Sequence, residues 1–388
     1  MPILAQMNAL HATMTAWRRD FHADPELSLE EERTSGKVQD LLKSFGVDEV
    51  HHGLARTGVV GVIRGKRPGA AVGLRADMDA LPISEATALP YASRNPGIMH
   101  ACGHDGHMTM LLGSAAYLAR TREFAGTVYL IFQPAEEDHD GAELMVREGL
   151  FERFPMDRVF GLHNWPSHPA GHFFWRNGPI MAAAADVDLT ITGKGGHAAH
   201  PERGVDPILA AAHVITALQS LVSRRVDPVD GGVVSICQMQ GGHAHNVIPD
   251  AVHLKGSVRW FTDEVGKTLQ EGMRRVSTDV ASAFGAKAEI SFRQSCIATV
   301  NEPQATAITR AAAETVAGKS WVHHLEKPSM GAEDFASMLM RKPGSYIILG
   351  AGGDARVPQL HNPHYDFNDD ILPVGAAYWA TLAEQALR

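Results

Sequence analysis

Thr127-Val128-Tyr129-Leu130-Ile131-Phe132-Gln133-Pro134-Ala135-Glu136-Glu137 is an apolar, strand-forming run that ends in two adjacent carboxylates. A helical pattern from about Asp105 to Ala119 precedes it, and two more β-rich runs, Gly58 to Ile63 and Ala71 to Leu74, come earlier. Strands that alternate with helices are typical of a parallel sheet covered by helices on both faces. The pattern therefore predicts a three-layer α/β/α domain with a mostly parallel mixed sheet.

Near the start of the chain, Ser28-Leu29-Glu30-Glu31 has the spacing of a capping box. In that motif the serine and the glutamate satisfy each other's orphan backbone amides at the start of a helix. We predict that it opens a helix that ends at Gly46.

The middle of the chain has a different order of elements. Alternation of polar and apolar residues from Asp186 to Thr192 predicts a strand with one solvated face. A helix, two strands, a helix and a strand follow, at about residues 207–222, 233–238, 252–260, 263–284 and 288–292. The order β-α-β-β-α-β is the split βαβ plan of a ferredoxin-like α+β domain.

After about Val300 the first pattern resumes, with a helix from Gln304 to Ala317, a strand from Tyr346 to Leu349 and a final helix from Pro373 to Leu387. A chain of 388 residues exceeds the size at which single hydrophobic cores stop growing. We therefore predict a discontinuous first domain at residues 1–184 and 296–388, with a second domain inserted at residues 185–295.

Composition excludes several classes of function. The formal net charge of -9 argues against nucleic-acid binding, which requires clustered Lys and Arg. The N-terminus lacks a basic start followed by an apolar run, and no uninterrupted apolar stretch approaches the ~20 residues that span a bilayer. We expect a cytoplasmic protein without nucleic-acid or membrane partners. Three cysteines are too few for a disulfide framework, and Cys237 and Cys296 are predicted to be buried, inert thiols.

Possible metal ligands follow several predicted strands. His100-Ala101-Cys102-Gly103-His104-Asp105-Gly106-His107 offers a thiolate and imidazoles, which bind zinc-like metals. His163 ends the run that begins at Arg158, and His361 or His364 could return from the resumed domain. Alone, the Cys102-Gly103-His104 segment is more typical of a buried cysteine beside loop histidines than of a metal site. Together these segments predict a metal site, because open α/β sheets form their active crevices at the carboxyl ends of strands.

Carboxylates complete this set. Of the adjacent pair Glu136 and Glu137, one could bind metal while its neighbour takes a proton from water that the metal acidifies. Asp77 and Asp79 end another strand, where they could orient a ligand, close a structural hydrogen-bond network or form a solvated turn. A mixed thiolate, imidazole and carboxylate set suits Zn, Mn, Co or Ni, and ligand softness does not choose among them.

The predicted inserted domain contains a glycine-rich turn, Gly193-Lys194-Gly195-Gly196-His197-Ala198-Ala199-His200-Pro201. It lacks the spacing of a phosphate-binding P-loop, which argues against nucleotide binding. From these residues alone, a flexible surface loop is the simpler interpretation.

The combined motifs resemble the metallohydrolase family of aminoacylases and zinc carboxypeptidases, in the branch of hippurate hydrolases and auxin-conjugate amidohydrolases. Many members of the wider family have His-x-Asp where this chain has Arg75-Ala76-Asp77, and aspartate where it has Cys102. Both differences point to the hippurate and auxin-conjugate branch. The resemblance follows chain order through residues 75–82, 100–107, 133–137, 193–201, 246–250, 330–335 and 360–362.

The resemblance implies two divalent metal ions per subunit, Zn, Mn, Ni or Co, bridged by Cys102. The remaining metal ligands would be His104, Glu137, His163 and His361. Glu136 would be the general base and Asp77 would support the ligands. His197 would stabilise the oxyanion from a lid or across a dimer interface, while the substrate carboxylate would be held by Asn246, Gly331 and Ala332.

The implied activity is hydrolysis of N-acyl-L-amino acids, hippurate-like or N-acetyl, to a carboxylate and a free amino acid. The inserted domain would serve as lid and as the contact surface of a homodimer or homotetramer. Three alternatives stay open: a dipeptidase or carboxypeptidase, an N-acetyl-diaminopimelate deacetylase, and a catalytically silent metal- or peptide-binding protein.

Overall fold

The computed structural model describes residues 2–138, 140–353 and 357–388. The chain divides into two compact units. The first unit comprises Met1–Ile180, Val300–Lys327 and Asp334–Arg388, and the second comprises Met181–Thr299 and Pro328–Glu333. The short segment Pro328–Glu333 therefore belongs to the second unit although the chain has already returned to the first.

Strands and helices of the described ranges are numbered in chain order. The strands are β1 (Glu49–Leu54), β2 (Gly58–Arg64), β3 (Arg67–Asp77), β4 (Ala125–Gln133), β5 (Arg158–Pro169), β6 (Phe173–Trp175), β7 (Gly178–Met181), β8 (Ala183–Thr192), β9 (Gly196–His197), β10 (Gly232–Gln240), β11 (Val247–Ile248), β12 (Ala251–Trp260), β13 (Lys287–Cys296), β14 (Thr299–Asn301), β15 (Val322–His324) and β16 (Gly344–Gly352). The α-helices are α1 (Ile3–Ala9), α2 (His11–Ala23), α3 (Glu32–Ser44), α4 (His104–Thr121), α5 (Gly141–Arg147), α6 (Leu150–Arg153), α7 (Pro207–Arg225), α8 (Asp263–Ala283), α9 (Pro303–Ala317), α10 (Ala336–Leu339) and α11 (Leu372–Ala386), with 3-10 turns at Pro201–Arg203, Lys319–Trp321 and Asp369–Ile371.

The first unit is organised around one large sheet, with the strand order β1-β2-β4-β3-β5-β16-β6-β15. Its centre is parallel, because β3 pairs in parallel with β4 and β5, and β5 pairs in parallel with β16. Antiparallel pairs β1/β2, β2/β4 and β6/β16 flank this centre. The mostly parallel mixed sheet predicted from the alternation of strands and helices is confirmed.

Helix α4 is the central helix of the first unit. Its side chains are buried almost all round, as expected of a helix that is apolar on every face. Met110 and Leu112 are fully buried in the same core as Tyr378 and Trp379 of α11. Truncating a buried Leu such as Leu112 to Ala typically costs about 2–5 kcal/mol. This packing fixes the N-terminus of α4, where His104 begins the helix.

The predicted capping box at Ser28 is wrong. Helix α3 begins at Glu32, and Glu31 makes no capping hydrogen bond with its side chain. The first amides of the helix, those of Arg33 and Thr34, donate instead to the carboxylate of Glu26. Glu26 thus does the capping and leaves Ser28 and Glu31 to make other contacts. The helix ends at Ser44, two residues before the predicted Gly46.

The second unit contains a four-stranded antiparallel sheet with the order β10-β12-β8-β13. Helices α7 and α8 contribute Leu218 and Leu269 to a core shared with Leu189 of β8. Along the chain, β8, α7, β10, β12, α8 and β13 follow the predicted β-α-β-β-α-β order. A role for this unit as lid or dimer surface stays a prediction.

The prediction of two buried thiols is also wrong. Cys237 is exposed and Cys296 is only half-buried. Strand β10 changes register against β12 between Ile236 and Gln238, so the buried face implied by the apolar neighbours does not continue through Cys237. Separately, among the described residues no helix combines the length and apolar character needed to cross a membrane.

Candidate metal centre

Three neighbouring parallel strands of the first unit deliver the candidate residues. Asp77 is the last residue of β3, Gln133 ends β4 just before Glu136 and Glu137, and His163 lies in β5. Because these strands are parallel, their carboxyl ends meet at one edge of the sheet. Cys102 and His104 reach the same edge from the loop that leads into α4.

All five predicted metal ligands come together. Cys102 belongs to one group with His104 and His163 and to another with Glu137 and His361, and within each group the donor atoms lie within 4.8 Å of one another. A third group, formed by His104, Glu136 and Glu137, has the same spacing. His364, the alternative to His361, is exposed and belongs to none of these groups. Cys102 therefore lies between two sets of potential ligands.

Two of the histidines have their tautomer fixed by backbone carbonyls. Nδ1 of His104 donates to the carbonyl oxygen of Asp79 at 2.8 Å, and Nδ1 of His163 donates to that of Asn164 at 2.7 Å. A carbonyl can only accept, so the proton of each neutral ring is on Nδ1 and the lone pair is on Nε2. This is the usual arrangement of metal-binding histidines.

Two buried atoms that could bind a metal lack hydrogen bonds, which supports a cation at this position. Nε2 of His361 lies 3.4 Å from Oε1 of Glu137. Within the described ranges, this oxygen and Nε2 of His104 are buried and make no hydrogen bond of good geometry. The two atoms lie 3.8 Å apart, beyond hydrogen-bonding distance. Buried polar atoms of folded proteins are nearly always satisfied. A metal ion bound by both atoms would satisfy them.

The charges around the group also favour a bound cation. Burial and the nearby charges of Glu137 and Glu136 raise the pKa of the Cys102 thiol well above its ordinary value. Burial, with the nearby His107, holds the pKa of His163 well below its ordinary value. Burial lowers the pKa of His104, but Asp77, Asp79 and Glu137 outweigh it and raise that pKa to about 10. No acceptor lies within hydrogen-bonding distance of Nε2 of His104, so a metal ion at this atom would supply the positive charge that these carboxylates favour.

Asp77 is buried behind the group and does not hydrogen-bond to His104, whose Nε2 lies 3.8 Å from Oδ2. It accepts from Arg75 at 2.8 Å and from Nδ1 of His107 at 2.6 Å. His107 in turn lies 2.7 Å from Oδ1 of Asn164. A supporting role for Asp77 stays a prediction, and the contacts would transmit it through His107.

The four remaining predicted site residues belong to the second unit. His197 is exposed in β9, pairs with Val247 of β11, and accepts the backbone N–H of Ala199 at Nδ1. Asn246 lies beside it, because its carbonyl accepts the backbone N–H of Ala198. Gly331, followed by Ala332, accepts the N–H of Ala182 at its own carbonyl. The second unit thus brings His197 and Asn246 together, and the roles of all four residues stay predictions.

Three further residues hold the group, of which sequence reasoning missed Asn164 and Glu31 and had offered an orienting role for Asp79. Asn164 fixes His163 through its carbonyl, and its side-chain amide donates to the hydroxyl of Tyr365. Asp79 fixes His104, and Glu31 accepts the backbone N–H of Ala135, which is 104 residues away. Asn164 could have been predicted, because it directly follows His163 in the sequence. No local pattern pointed to Glu31.

Comparison with known proteins agrees with this geometry. The family model described as peptidase family M20/M25/M40 matches residues 73–385. A hippurate hydrolase of Campylobacter jejuni is 39% identical over 388 residues, with 100% of both chains covered. An N-acetylcysteine deacetylase of Bacillus subtilis is 38% identical over 378 residues, with 97% of each chain covered.

A solved structure of similar length has the same fold. It is that of the YXEP protein of Bacillus subtilis, a dinuclear metal-binding peptidase of the M20 family. It matches with a TM-score of 0.85 and 34% sequence identity, covering 98% of this chain and 99% of that chain. The family resemblance inferred from the motifs is confirmed: the chain belongs to peptidase family M20/M25/M40.

Proposed function

We propose that this chain is a metal-dependent amidohydrolase that cleaves N-acyl-L-amino acids, hippurate-like or N-acetyl, to a carboxylate and a free amino acid. The observation that carries the proposal is the group around Cys102, in which buried donor atoms converge while Glu136 lies beside the ligand candidate Glu137. The relatives named hippurate hydrolase and N-acetylcysteine deacetylase support the substrate class.

The group would hold two divalent metal ions, Zn, Mn, Ni or Co, and Cys102 would be one of their ligands. The other ligands are His104, Glu137, His163 and His361. The residues fit this role, because the set combines sulfur, imidazole and carboxylate ligands. When bound, divalent metals polarise the substrate carbonyl and lower the pKa of water from ~15.7 towards ~7.

The residues of the chain supply proton transfer and charge stabilisation. Glu136 takes a proton from the attacking water and returns it to the leaving nitrogen as the tetrahedral intermediate collapses. His197 stabilises the oxyanion of that intermediate by donating a hydrogen bond. The substrate carboxylate is bound by Asn246, Gly331 and Ala332. Asp77 keeps His107, and through it Asn164, in position behind the ligands.

We further propose that residues 1–184 and 296–388 form the catalytic domain and residues 185–295 its lid. The lid would also be the contact surface of a homodimer or homotetramer. His197 and Asn246 are neighbours in the second unit, and under this proposal both would contact the substrate.

A hydrolysis panel tests the function. Metal-free protein is reconstituted separately with Zn, Mn, Co and Ni and incubated with N-acetyl amino acids, N-benzoyl amino acids and dipeptides, and released amine is measured with ninhydrin. We expect amine from the acyl amino acids, lost with chelator and restored with metal. Cleavage of dipeptides alone would instead indicate a dipeptidase. Bound metal without any amine release would indicate a binding protein.

A further inference from the structure

Glu31 and Asp79 are two buried carboxylates that the proposed reaction does not use. Their exposed fractions are 0% and 1%. Burying a carboxylate is costly unless hydrogen bonds compensate for the lost water. The donors that satisfy these two carboxylates should therefore show what the pair is for.

Glu31 holds the backbone just before the proposed general base. Its Oε1 accepts the backbone N–H of Ala135 at 2.9 Å, and its Oε2 accepts the hydroxyl of Thr57 at 2.6 Å. Ala135 has a φ of 56°, in the left-handed region that residues other than glycine rarely adopt. A strained conformation of this kind persists only where surrounding contacts fix it. The hydrogen bond from Ala135 to Glu31 is such a contact.

Asp79 holds the backbone just after the same residue. Its Oδ2 accepts the backbone N–H of Glu137 at 3.0 Å and the hydroxyl of Ser28 at 2.8 Å. Its carbonyl oxygen accepts Nδ1–H of His104, and its Oδ1 lies 3.2 Å from the same nitrogen. One residue thus fixes the backbone of one proposed ligand and the ring of another.

We propose that Glu31 and Asp79, with their hydroxyl partners Thr57 and Ser28, form a clamp that positions the Glu136–Glu137 loop relative to His104. The clamp binds the amides on both sides of Glu136, so the carboxylate of Glu136 is carried by a backbone fixed at each neighbour. These are positioning residues, since they act through the loop and the imidazole. The part of this proposal that concerns Glu136 rests on the proposed function. The expected effect of the clamp on metal binding is independent of that function.

The two carboxylates should have separable effects. Asp79 contacts two proposed ligands, and removing such an outer partner typically weakens metal binding by about 10–100-fold. Glu31 hydrogen-bonds to Ala135 and Thr57 but to none of the proposed ligands, so its loss should leave metal affinity nearly unchanged. A base displaced by about 1 Å can cost on the order of 100-fold in rate. Loss of Glu31 should therefore lower kcat with little change in KM.

The test uses four variants of the full chain. Asp79→Asn removes the charge facing His104, and Glu31→Ala removes the acceptor of Ala135. Glu31→Gln is the conservative variant, because its amide oxygen can accept from Ala135 while its NH2 donates to Thr57. Glu30→Gln is the matched control, since Glu30 is exposed and carries the same charge one residue away. Zn²⁺ affinity is measured by competition with a chromogenic chelator, and kcat and KM with hippurate.

We expect Asp79→Asn to lose about 10–100-fold in Zn²⁺ affinity. We expect Glu31→Ala to lose about 10–100-fold in kcat at near-normal affinity and KM, with Glu31→Gln and Glu30→Gln close to wild type. Wild-type Zn²⁺ affinity in Asp79→Asn, or wild-type kcat in Glu31→Ala, would overturn the clamp. If either variant fails to fold, Ser28→Ala and Thr57→Val replace them, and wild-type affinity and kcat in both would overturn it equally. If no acyl amino acid is hydrolysed at all, the proposed function fails and the Zn²⁺ affinities still decide the clamp.

Discussion

Sγ of Cys102 lies 3.4 Å from Nε2 of His163, and both side chains are buried. Because Nδ1 of His163 donates to a carbonyl, the lone pair of Nε2 faces the sulfur. Burial and the carboxylates around Cys102 raise the pKa of its thiol, so a bound cation is needed to keep a thiolate there at neutral pH. Ionisation of the Cys102 thiol would therefore depend on metal binding.

Alkylation of Cys102 should block metal binding. In a Cys237→Ser/Cys296→Ser background, Cys102 is the remaining cysteine of the chain. We expect metal-free protein treated with iodoacetamide at alkaline pH to gain one adduct and to bind no metal afterwards. Metal-loaded protein should resist the reagent. Mass spectrometry counts the adduct and elemental analysis counts the metal, and an alkylated protein that regains its full metal content would refute the bridging role.

Glu136→Gln should separate metal binding from turnover. The substitution keeps the size of the side chain but removes the base, which typically costs about 100- to 10,000-fold in rate. Metal content should stay at the wild-type level, whereas Glu137→Gln should lower it because Glu137 belongs to the ligand group. Asp138→Asn, at the exposed next position, is the matched control. A Glu136→Gln enzyme with wild-type kcat would remove Glu136 from the mechanism.

The ligand candidates were predictable because each follows a local pattern. Cys102 and His104 stand two residues apart, and Glu137 closely follows a strongly apolar strand. The topology of a parallel sheet then brings such residues together, since it places the carboxyl ends of strands at one edge. The short-range pattern of hydrophobicity was sufficient for this part of the site and for the central sheet.

The supporting residues were not predictable, because their partners are far away in the chain. Ser28 and Glu31 satisfy the local rule for a capping box, yet Ser28 binds Asp79, 51 residues on, and Glu31 binds the backbone of Ala135, 104 residues on. A buried carboxylate is satisfied by whichever donors the tertiary fold supplies. Glu26, outside the expected motif, was then free to cap the helix.

Gly103→Ala should disrupt the start of α4. Gly103 has a φ of 93°, and a Cβ there would lie 2.4 Å from Oδ1 of Asn164 and 2.7 Å from the hydroxyl of Tyr365. Asn164 holds His163, so relieving the clash should displace a ligand. We expect a loss of about 2–4 kcal/mol in the free energy of unfolding, from overpacking and a strained φ, together with weaker metal binding.

Gly36→Ala is the control for that substitution. Gly36 lies inside α3, and nothing would lie within 4 Å of an added Cβ. Alanine is favoured over glycine in a helix by about 1 kcal/mol, so this variant should gain slight stability. Urea unfolding of both metal-free variants measures the two effects, and equal stabilities would contradict the steric argument.

Glu31→Gln should change how stability depends on pH. Burial raises the pKa of Glu31 to about 7, even though Thr57 and Ala135 donate to it, and the charge of Asp79 adds to the rise. In the unfolded chain the same group titrates near 4.5. The folded state therefore binds this proton more tightly, and the resulting stability is fully present below pH 4.5 and is lost as pH rises through about 7.

The glutamine side chain of the Glu31→Gln variant stays uncharged and can keep both hydrogen bonds, so the variant avoids the cost of ionising a buried carboxylate. Its stability relative to wild type should be near zero at pH 4.5 and should rise with pH to about 3 kcal/mol above pH 7, from ~1.4 kcal/mol per pKa unit. Urea unfolding of metal-free protein across this range, beside Glu30→Gln, measures the difference. Glu30→Gln removes one carboxylate at an exposed position and so controls for the loss of a charge alone. A flat difference for Glu31→Gln would mean that Glu31 ionises in the folded protein as readily as in the unfolded chain.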